Sequence, residues 1–207
     1  MKKLLHIIAT PRTEESRTLQ VSTVFIDSFR AANPDCIIDT LDLSRESLPE
    51  LAQKQVSGKY ALLSGKEPSG ELKSAWDDIV RQIERFLAAD IYLISTPMWN
   101  FSVPYKLKHY IDVIIQPKFL FQYTASGVEG LAKGKKMAVI ISRGGDYSSE
   151  PMKQSDHQAT YLKTVFGFVG IRDIRFIVAE GVDMGRKQAE NSVRHAQEEA
   201  AEAAKEF

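Results

Sequence analysis

Three short segments of this chain carry residue types that could hold a small polar ligand. The first is Thr10-Pro11-Arg12-Thr13-Glu14-Glu15-Ser16-Arg17-Thr18. Hydroxyls at Thr10, Ser16 and Thr18 can donate hydrogen bonds, and Arg12 or Arg17 adds positive charge. If a helix begins near Ser16, its free N–H groups and its dipole favour an anion, and a phosphate monoester is the natural one. The segment has no glycine, so it is neither a Walker loop nor a dinucleotide fingerprint. Taken alone it also fits a plain helix cap with solvated arginines. The second segment is Pro97-Met98-Trp99-Asn100-Phe101. Its aromatics and Met98 could wall a planar ligand while Asn100 bonds a polar rim, or they could plug the base of a helix. The third is Ser142-Arg143-Gly144-Gly145-Asp146. Paired glycines let a backbone approach a ligand closely, or simply form a flexible turn. If the three meet, the ligand they fit is a flat ring system with a phosphate at one end.

Nothing else in the sequence offers acid–base or metal chemistry. The four histidines, His6, His109, His157 and His195, are scattered and lack zinc-ligand spacing. No catalytic residue and no metal ligand is nominated. The single cysteine, Cys36, excludes an intrachain disulfide and reads as a small core residue of a strand. The chain has 207 residues, 43% hydrophobic and 26% charged, an ordinary globular balance for one domain. Its 27 basic and 27 acidic residues cancel, which argues against a general nucleic-acid partner. No apolar run approaches the roughly 20 residues needed to cross a bilayer. Lys2 and Lys3 precede only a short apolar run, so a secretory leader is not expected and a cytoplasmic location is.

The elements that must position these segments alternate regularly. Apolar runs at residues 4–9, 36–43, 91–95, 135–142 and 174–179 read as five strands. Between them lie helical patterns. One begins at Ser16 and ends at Asn33-Pro34; another spans residues 72–87, with Leu72, Trp76, Ile79, Ile83 and Phe86 on one face. A third has Pro104 in its first turn, a fourth covers residues 151–166, and an Ala- and Glu-rich helix spans residues 184–207. Residues 44–70, with Pro49, Gly58, Gly65, Pro68 and Gly70, are less regular, with room for a helix or two in residues 49–63, and residues 119–130 read as non-helical and turn-rich. This βα alternation predicts a single α/β domain over residues 1–207. The expected fold is a flavodoxin-like doubly wound five-stranded parallel sheet with helices on both faces. Such sheets bind ligands beyond the carboxyl ends of their strands, and the three segments follow strands one, three and four.

At these residues the chain resembles the FMN-dependent NADH-azoreductases, also called FMN-dependent NADH:quinone oxidoreductases. The shared features are the loop ending Ser16-Arg17-Thr18, the Pro-Met-Trp-Asn-Phe stretch and Ser-Arg-Gly-Gly. They also include Phe121, Tyr123, Gly127, Glu129, Gly130 and Leu131, and Phe166-Gly167-Phe168-Val169-Gly170-Ile171. The resemblance implies a homodimer with one non-covalent FMN per subunit and NADH or NADPH as electron donor. It implies two-electron, ping-pong reduction of a quinone or azo acceptor. Thr10, Ser16, Arg17 and Thr18 would hold the FMN phosphate. Pro97, Met98, Trp99, Asn100 and Phe101 would line the isoalloxazine, with Ser142, Arg143, Gly144 and Gly145 near its pyrimidine side. Tyr123 and Phe168 would shape the substrate pocket at the dimer interface. Trp99 stands where relatives often carry Tyr, and Arg17 where they often carry Gln or His.

A one-electron flavodoxin-type carrier is the competing reading. Zero net charge and the extra segment at residues 119–130 count against it, because such carriers usually dock through an acidic surface. A phosphoacceptor receiver would need acidic residues where this chain has Thr10 and Pro97.

Overall fold

The computed structural model describes residues 1–67 and 69–207; Pro68, one of the turn-forming residues noted above, lies outside the described residues. The apolar runs become five parallel strands. They are β1 (Lys3–Ile8), β2 (Ile37–Asp42), β3 (Ile91–Pro97), β6 (Lys136–Ser142) and β7 (Asp173–Ala179), in the order β2-β1-β3-β6-β7. The order reverses between β1 and β3, which is where an open α/β sheet leaves a crevice.

Successive side chains of a strand point to opposite faces, and both faces of this sheet are covered. Leu5, Ile7, Tyr92, Ile94, Met137, Val139 and Ile141 face α3 (Glu71–Leu87), α4 (Tyr105–Ile114) and α5 (His157–Phe168). Leu4, Ile91, Leu93, Ala138, Ile140 and Ile177 face α1 (Arg17–Ala32) and α6 (Arg186–Ala204). The alanines of α6 serve this packing: Ala189, Ala196, Ala200 and Ala203 are buried, which lets α1 and α6 approach closely. The charged residues of α6 remain on its exposed face, where Arg186 pairs with Glu190 at 2.8 Å. Among the described residues no helix is long and apolar enough to cross a membrane.

Several elements differ from the sequence expectation. Residues 119–130 hold an antiparallel hairpin, β4 (Phe121–Thr124) with β5 (Gly127–Gly130). Residues 49–63, where a helix or two is expected, do hold one, α2 (Gln53–Leu63). Pro104 stands one residue before α4, with ψ at 145°, and its carbonyl accepts from the Leu107 and Lys108 amides. The helix expected from residue 151 is a short 3-10 turn (Met152–Ser155) followed by α5, because Asp156 caps a new helix with its side chain. Cys36 precedes β2 and is only half-buried, packed against the α1/α6 layer.

His6 is structural, as its strand position implied. It is buried, and its Nε2 lies 2.7 Å from Ser95 Oγ. Burial pushes its pKa down from 6.5 to about 4, against the opposing charge of Asp42. The folded state therefore holds fewer protons than the unfolded chain between these values. The stability tied to neutral His6 is complete above about pH 6.5 and is lost as pH falls towards 4. The shift corresponds to roughly 3 kcal/mol at most. Urea denaturation should thus show stability falling between pH 6.5 and 4.5, with a shallower fall in His6→Gln. An equal slope in both proteins would remove His6 as its cause.

Candidate functional site

The crevice at the strand-order reversal is built from four strand exits. Backbone bonds fix where the chain leaves the sheet: Ala9 N–H donates to Ser95 O at 2.8 Å, Met98 N–H to Ser142 O at 2.9 Å, and Arg143 N–H to Ala179 O at 2.9 Å. Segments 10–18, 97–101 and 142–145 therefore emerge along one edge, together with residues 180–185.

After β1, Ser16 caps α1 with extended backbone (φ −75°, ψ 112°), and its Oγ accepts from Leu19 N–H at 3.3 Å. The cap leaves the Ser16 hydroxyl proton free to donate. Among the described residues, the Arg17 and Thr18 amides have no protein acceptor. Thr10, Ser16 and Thr18 are all buried. Thr10 Oγ1 only accepts, from Arg12 N–H at 3.3 Å. Thr18 Oγ1 lies 2.6 Å from Ser142 Oγ, which ties the first segment to the third. Arg17 Nη1 is 2.7 Å from Asp183 Oδ1. A cleft of about 190 Å³ runs between these groups and Pro97, Met98, Trp99 and Gly144. Hydroxyls, free amides and a helix N-terminus at one end are groups that can donate to an anion.

At its other end residues 99–102 form a tight turn. Trp99 and Ser102 exchange both backbone hydrogen bonds at 3.0 Å. The two central residues are left-handed, Asn100 at φ 47° and Phe101 at φ 68°. Asn tolerates this region; Phe does not, and such a residue is strained by about 1–3 kcal/mol unless its surroundings hold it. The turn presents Trp99 and Phe101 as exposed aromatics, 39% and 46% accessible. Phe101 O accepts from His157 N–H at 3.1 Å, and Pro97 O accepts from Gln158 Nε2 at 2.8 Å. The first turn of α5 thus grips both sides of the aromatic segment.

The Arg143 side chain does not line this cleft. The residue is 3% exposed, and its guanidinium points away from the cleft. Nη2 bonds Asp156 Oδ2 at 2.7 Å and Nη1 bonds Glu180 Oε1 at 2.9 Å. Its backbone N–H and C=O are also engaged, by Ala179 and Val182. Glu180 in turn accepts from Tyr147 N–H at 3.2 Å, and burial pushes its carboxyl up despite the guanidinium beside it. At the neighbouring glycine, a Cβ on Gly144 would stand 2.6 Å from Asp183 Oδ2. Gly145 has the ring of Tyr147 against it, not the cleft.

Tyr123 and Phe168 lie elsewhere on the chain. With Phe121 they form an aromatic patch, with ring centroids 5.8 Å and 4.9 Å from that of Phe121, and both are exposed. Phe168 ends α5, whose first residue bonds Phe101, so about 18 Å of helix separates it from the cleft. Val182 and Asp183, which complete the cleft after β7, were not anticipated. The glycine-flanked turn from Gly181 to Gly185, directly after the last strand, was the available signal.

The comparisons with known proteins follow this geometry. A family model described as a flavodoxin-like fold matches residues 2–204. A protein of Desulfotalea psychrophila named FMN-dependent NADH:quinone oxidoreductase is 40% identical over 100% of this chain and 98% of its own length. The chain belongs to the FMN-dependent NADH:quinone oxidoreductase family. It is an oxidoreductase of flavodoxin-like fold. A solved azoreductase of Bacillus anthracis strain Sterne superimposes with a TM-score of 0.92 at 30% identity, covering all of both chains. An FMN-dependent NADH-azoreductase from the Ames Ancestor strain, solved in complex with FMN, gives 0.86 at 28% identity, covering 99% of this chain and 100% of its own.

The Thr18–Ser142 clasp joins two of the oxidoreductase's three segments, and its energetics can be checked without any ligand. Thr18→Val keeps the side-chain shape but leaves the buried Ser142 hydroxyl unpaired. The expected loss is about 1–3 kcal/mol of unfolding free energy. Unchanged denaturant midpoints would show that the two hydroxyls do not depend on each other.

Proposed function

We propose that this chain binds one FMN per subunit and uses it to transfer two electrons from NADH, or alternatively NADPH, to quinones and azo compounds. The observation that carries this reading is the join at the sheet's carboxyl edge. An anion subsite of buried hydroxyls and free amides lies beside an exposed aromatic turn and a glycine that leaves room for a close approach. Those residues fit the two ends of FMN. Thr10, Ser16 and Thr18 would donate hydroxyl protons to the phosphate, and the Arg17 and Thr18 amides would add two more donors. Met98, Trp99 and the Asn100–Phe101 turn would flank the ring system, and Ser142 and Gly144 would meet its polar edge. When bound, FMN supplies the redox chemistry by accepting two electrons from the nicotinamide donor and passing them to the acceptor.

The chain's own part is to bind, to orient and to exclude water. Among the described residues no side chain at the cleft is arranged as an acid–base pair, and protons can reach the acceptor from water or nearby groups. Donor and acceptor occupy the same open cleft in turn, which makes the kinetics ping-pong. A homodimer completes the site: the exposed Tyr123–Phe168 patch of a second copy closes over the aromatic turn. The exposure of four large aromatics in two separate patches on one chain supports this assignment.

An absorbance spectrum of the purified protein, before and after anaerobic addition of NADH, tests the reading. Flavin bands that bleach directly with NADH support it. A colourless protein that takes up no FMN would overturn it. Bands that NADH leaves untouched would instead favour a one-electron carrier.

The phosphate assignment has its own check. Ser16→Ala combined with Thr18→Ala should weaken FMN binding by roughly 1–3 kcal/mol in sum. Gly144→Val should exclude FMN, because the added side chain meets Asp183 and fills the cleft. Wild-type FMN affinity in the double variant, measured by fluorescence quenching, would take the phosphate away from this loop. A fully flavinated Gly144→Val protein would move the ring elsewhere.

A further inference from the structure

Among the described residues Arg143 is the one guanidinium that the fold buries almost completely, and it does not line the cleft. Its side chain is 4% exposed and bonds two carboxylates, Asp156 and Glu180. Burying such a charge is costly, and the pair gives little net stability compared with an apolar replacement. Its retention therefore calls for a geometric reason, and the contacts around it supply one.

Asp156 uses its two oxygens for different partners. Oδ2 bonds Arg143 Nη2 at 2.7 Å. Oδ1 accepts from the Gln158 and Ala159 amides, both at 3.0 Å, and so caps α5. With Asp156 fixed, the next two residues are fixed as well. His157 N–H bonds Phe101 O at 3.1 Å, and Gln158 Nε2 bonds Pro97 O at 2.8 Å. These are the two ends of the segment whose centre holds the left-handed residues Asn100 and Phe101. On the other side of the guanidinium, the Tyr147 ring lies 5.7 Å from its carbon and meets the Phe101 ring edge-on at 6.2 Å. The Asp156 and Tyr147 contacts of Arg143 thus lead to the same turn.

We propose that Arg143 is a positioning residue: acting through Asp156 and the first turn of α5, it holds the strained Trp99–Phe101 turn in its binding conformation, and does not itself touch the bound flavin. This rests on the FMN reading above for its effect on binding, but its effect on the turn stands without it. The Ser-Arg-Gly-Gly segment thus has two separate duties. Its glycines leave room at the cleft, and its arginine clamps the neighbouring loop from behind.

Two variants test this. Arg143→Met removes the charge. Asp156→Asn is the milder change: its Oδ1 still caps α5, while its amide faces the guanidinium and breaks the pair. Neither residue lies at the cleft, and Asp156→Asn keeps the helix start if Arg143→Met fails to fold. Each is made in a Trp76→Phe background, so that Trp99 is the only tryptophan, since the chain has two. The first readout needs no flavin: near-ultraviolet circular dichroism and emission of Trp99 in the apoprotein. The second is the affinity for FMN and for riboflavin, which lacks the phosphate.

The expected result is an altered Trp99 signal together with a roughly tenfold loss of affinity, equal for FMN and riboflavin, the scale of about one hydrogen bond. An equal loss marks the ring side, because the phosphate contacts are untouched. An unchanged Trp99 signal in folded Asp156→Asn would overturn the proposal. A loss confined to FMN would also overturn it, by placing Arg143 on the phosphate. If the parent protein binds neither flavin, the FMN reading fails, and the Trp99 signal alone still decides whether Arg143 holds the turn.

Discussion

The site depends on how a parallel sheet ends. Strands buried on both faces cannot trade ladder bonds for water, so each N–H and C=O must find a neighbour up to the last residue. Here the last bonds run across the exits themselves: Leu43 N–H to Ile8 O, Ala9 N–H to Ser95 O, Met98 N–H to Ser142 O and Arg143 N–H to Ala179 O, all between 2.8 and 2.9 Å. Four segments far apart in sequence are thereby released from one line. Beyond that line helix dipoles and uncapped amides point outward, and the reversal between β1 and β3 opens a gap. The anion subsite and the aromatic turn are adjacent because the strands before them are registered, not because the loops attract each other.

The fixed exits still leave each loop its own conformational problem, and the chain solves these differently. The first loop passes directly into a helix and needs only the Ser16 cap. The third is short and is held by backbone bonds to residues 181–183. The second must turn back at once, through two residues with positive φ and no glycine. Glycine there would relieve the strain but would also make the turn mobile and remove an aromatic face. Keeping Phe101 requires outside support, and the buried Arg143–Asp156 pair, with the α5 start behind it, lies where that support is needed.

This division explains what could be read from the sequence. The strands were legible because both-face burial writes itself as unbroken apolar runs such as Leu-Leu-His-Ile-Ile and Met-Ala-Val-Ile-Ile. Ser16 was legible because capping chemistry is local. The hairpin was not: each of its strands has only four residues, and neither alternates between a buried and an exposed face. The left-handed turn was hidden because Trp99-Asn100-Phe101-Ser102 carries none of the glycine that usually announces one. Ion-pair partners were hidden for a different reason. Asp156 and Glu180 stand 13 and 37 residues from Arg143, and Asp183 stands 166 from Arg17; only the sheet register brings them together.

The two arginines show why residue type alone could not assign them. Arg17 and Arg143 each follow a strand exit, and each is paired with a carboxylate at 2.7 Å. The difference is burial. The Arg17–Asp183 side chains are 35% and 73% exposed, so their pairing contributes only about 0–1 kcal/mol. A phosphate accepting a charge-assisted hydrogen bond of roughly 1.5–3 kcal/mol can draw Arg17 away from Asp183 at little cost. The Arg143–Asp156 side chains are 4% and 16% exposed, and stripping such a pair of one partner costs about 3–5 kcal/mol. A ligand contact that drew Arg143 away from Asp156 would have to offset that cost. Equal numbers of acids and bases over the whole chain therefore coexist with two arginine pairs of very different burial, one open to exchange and one held inside the fold.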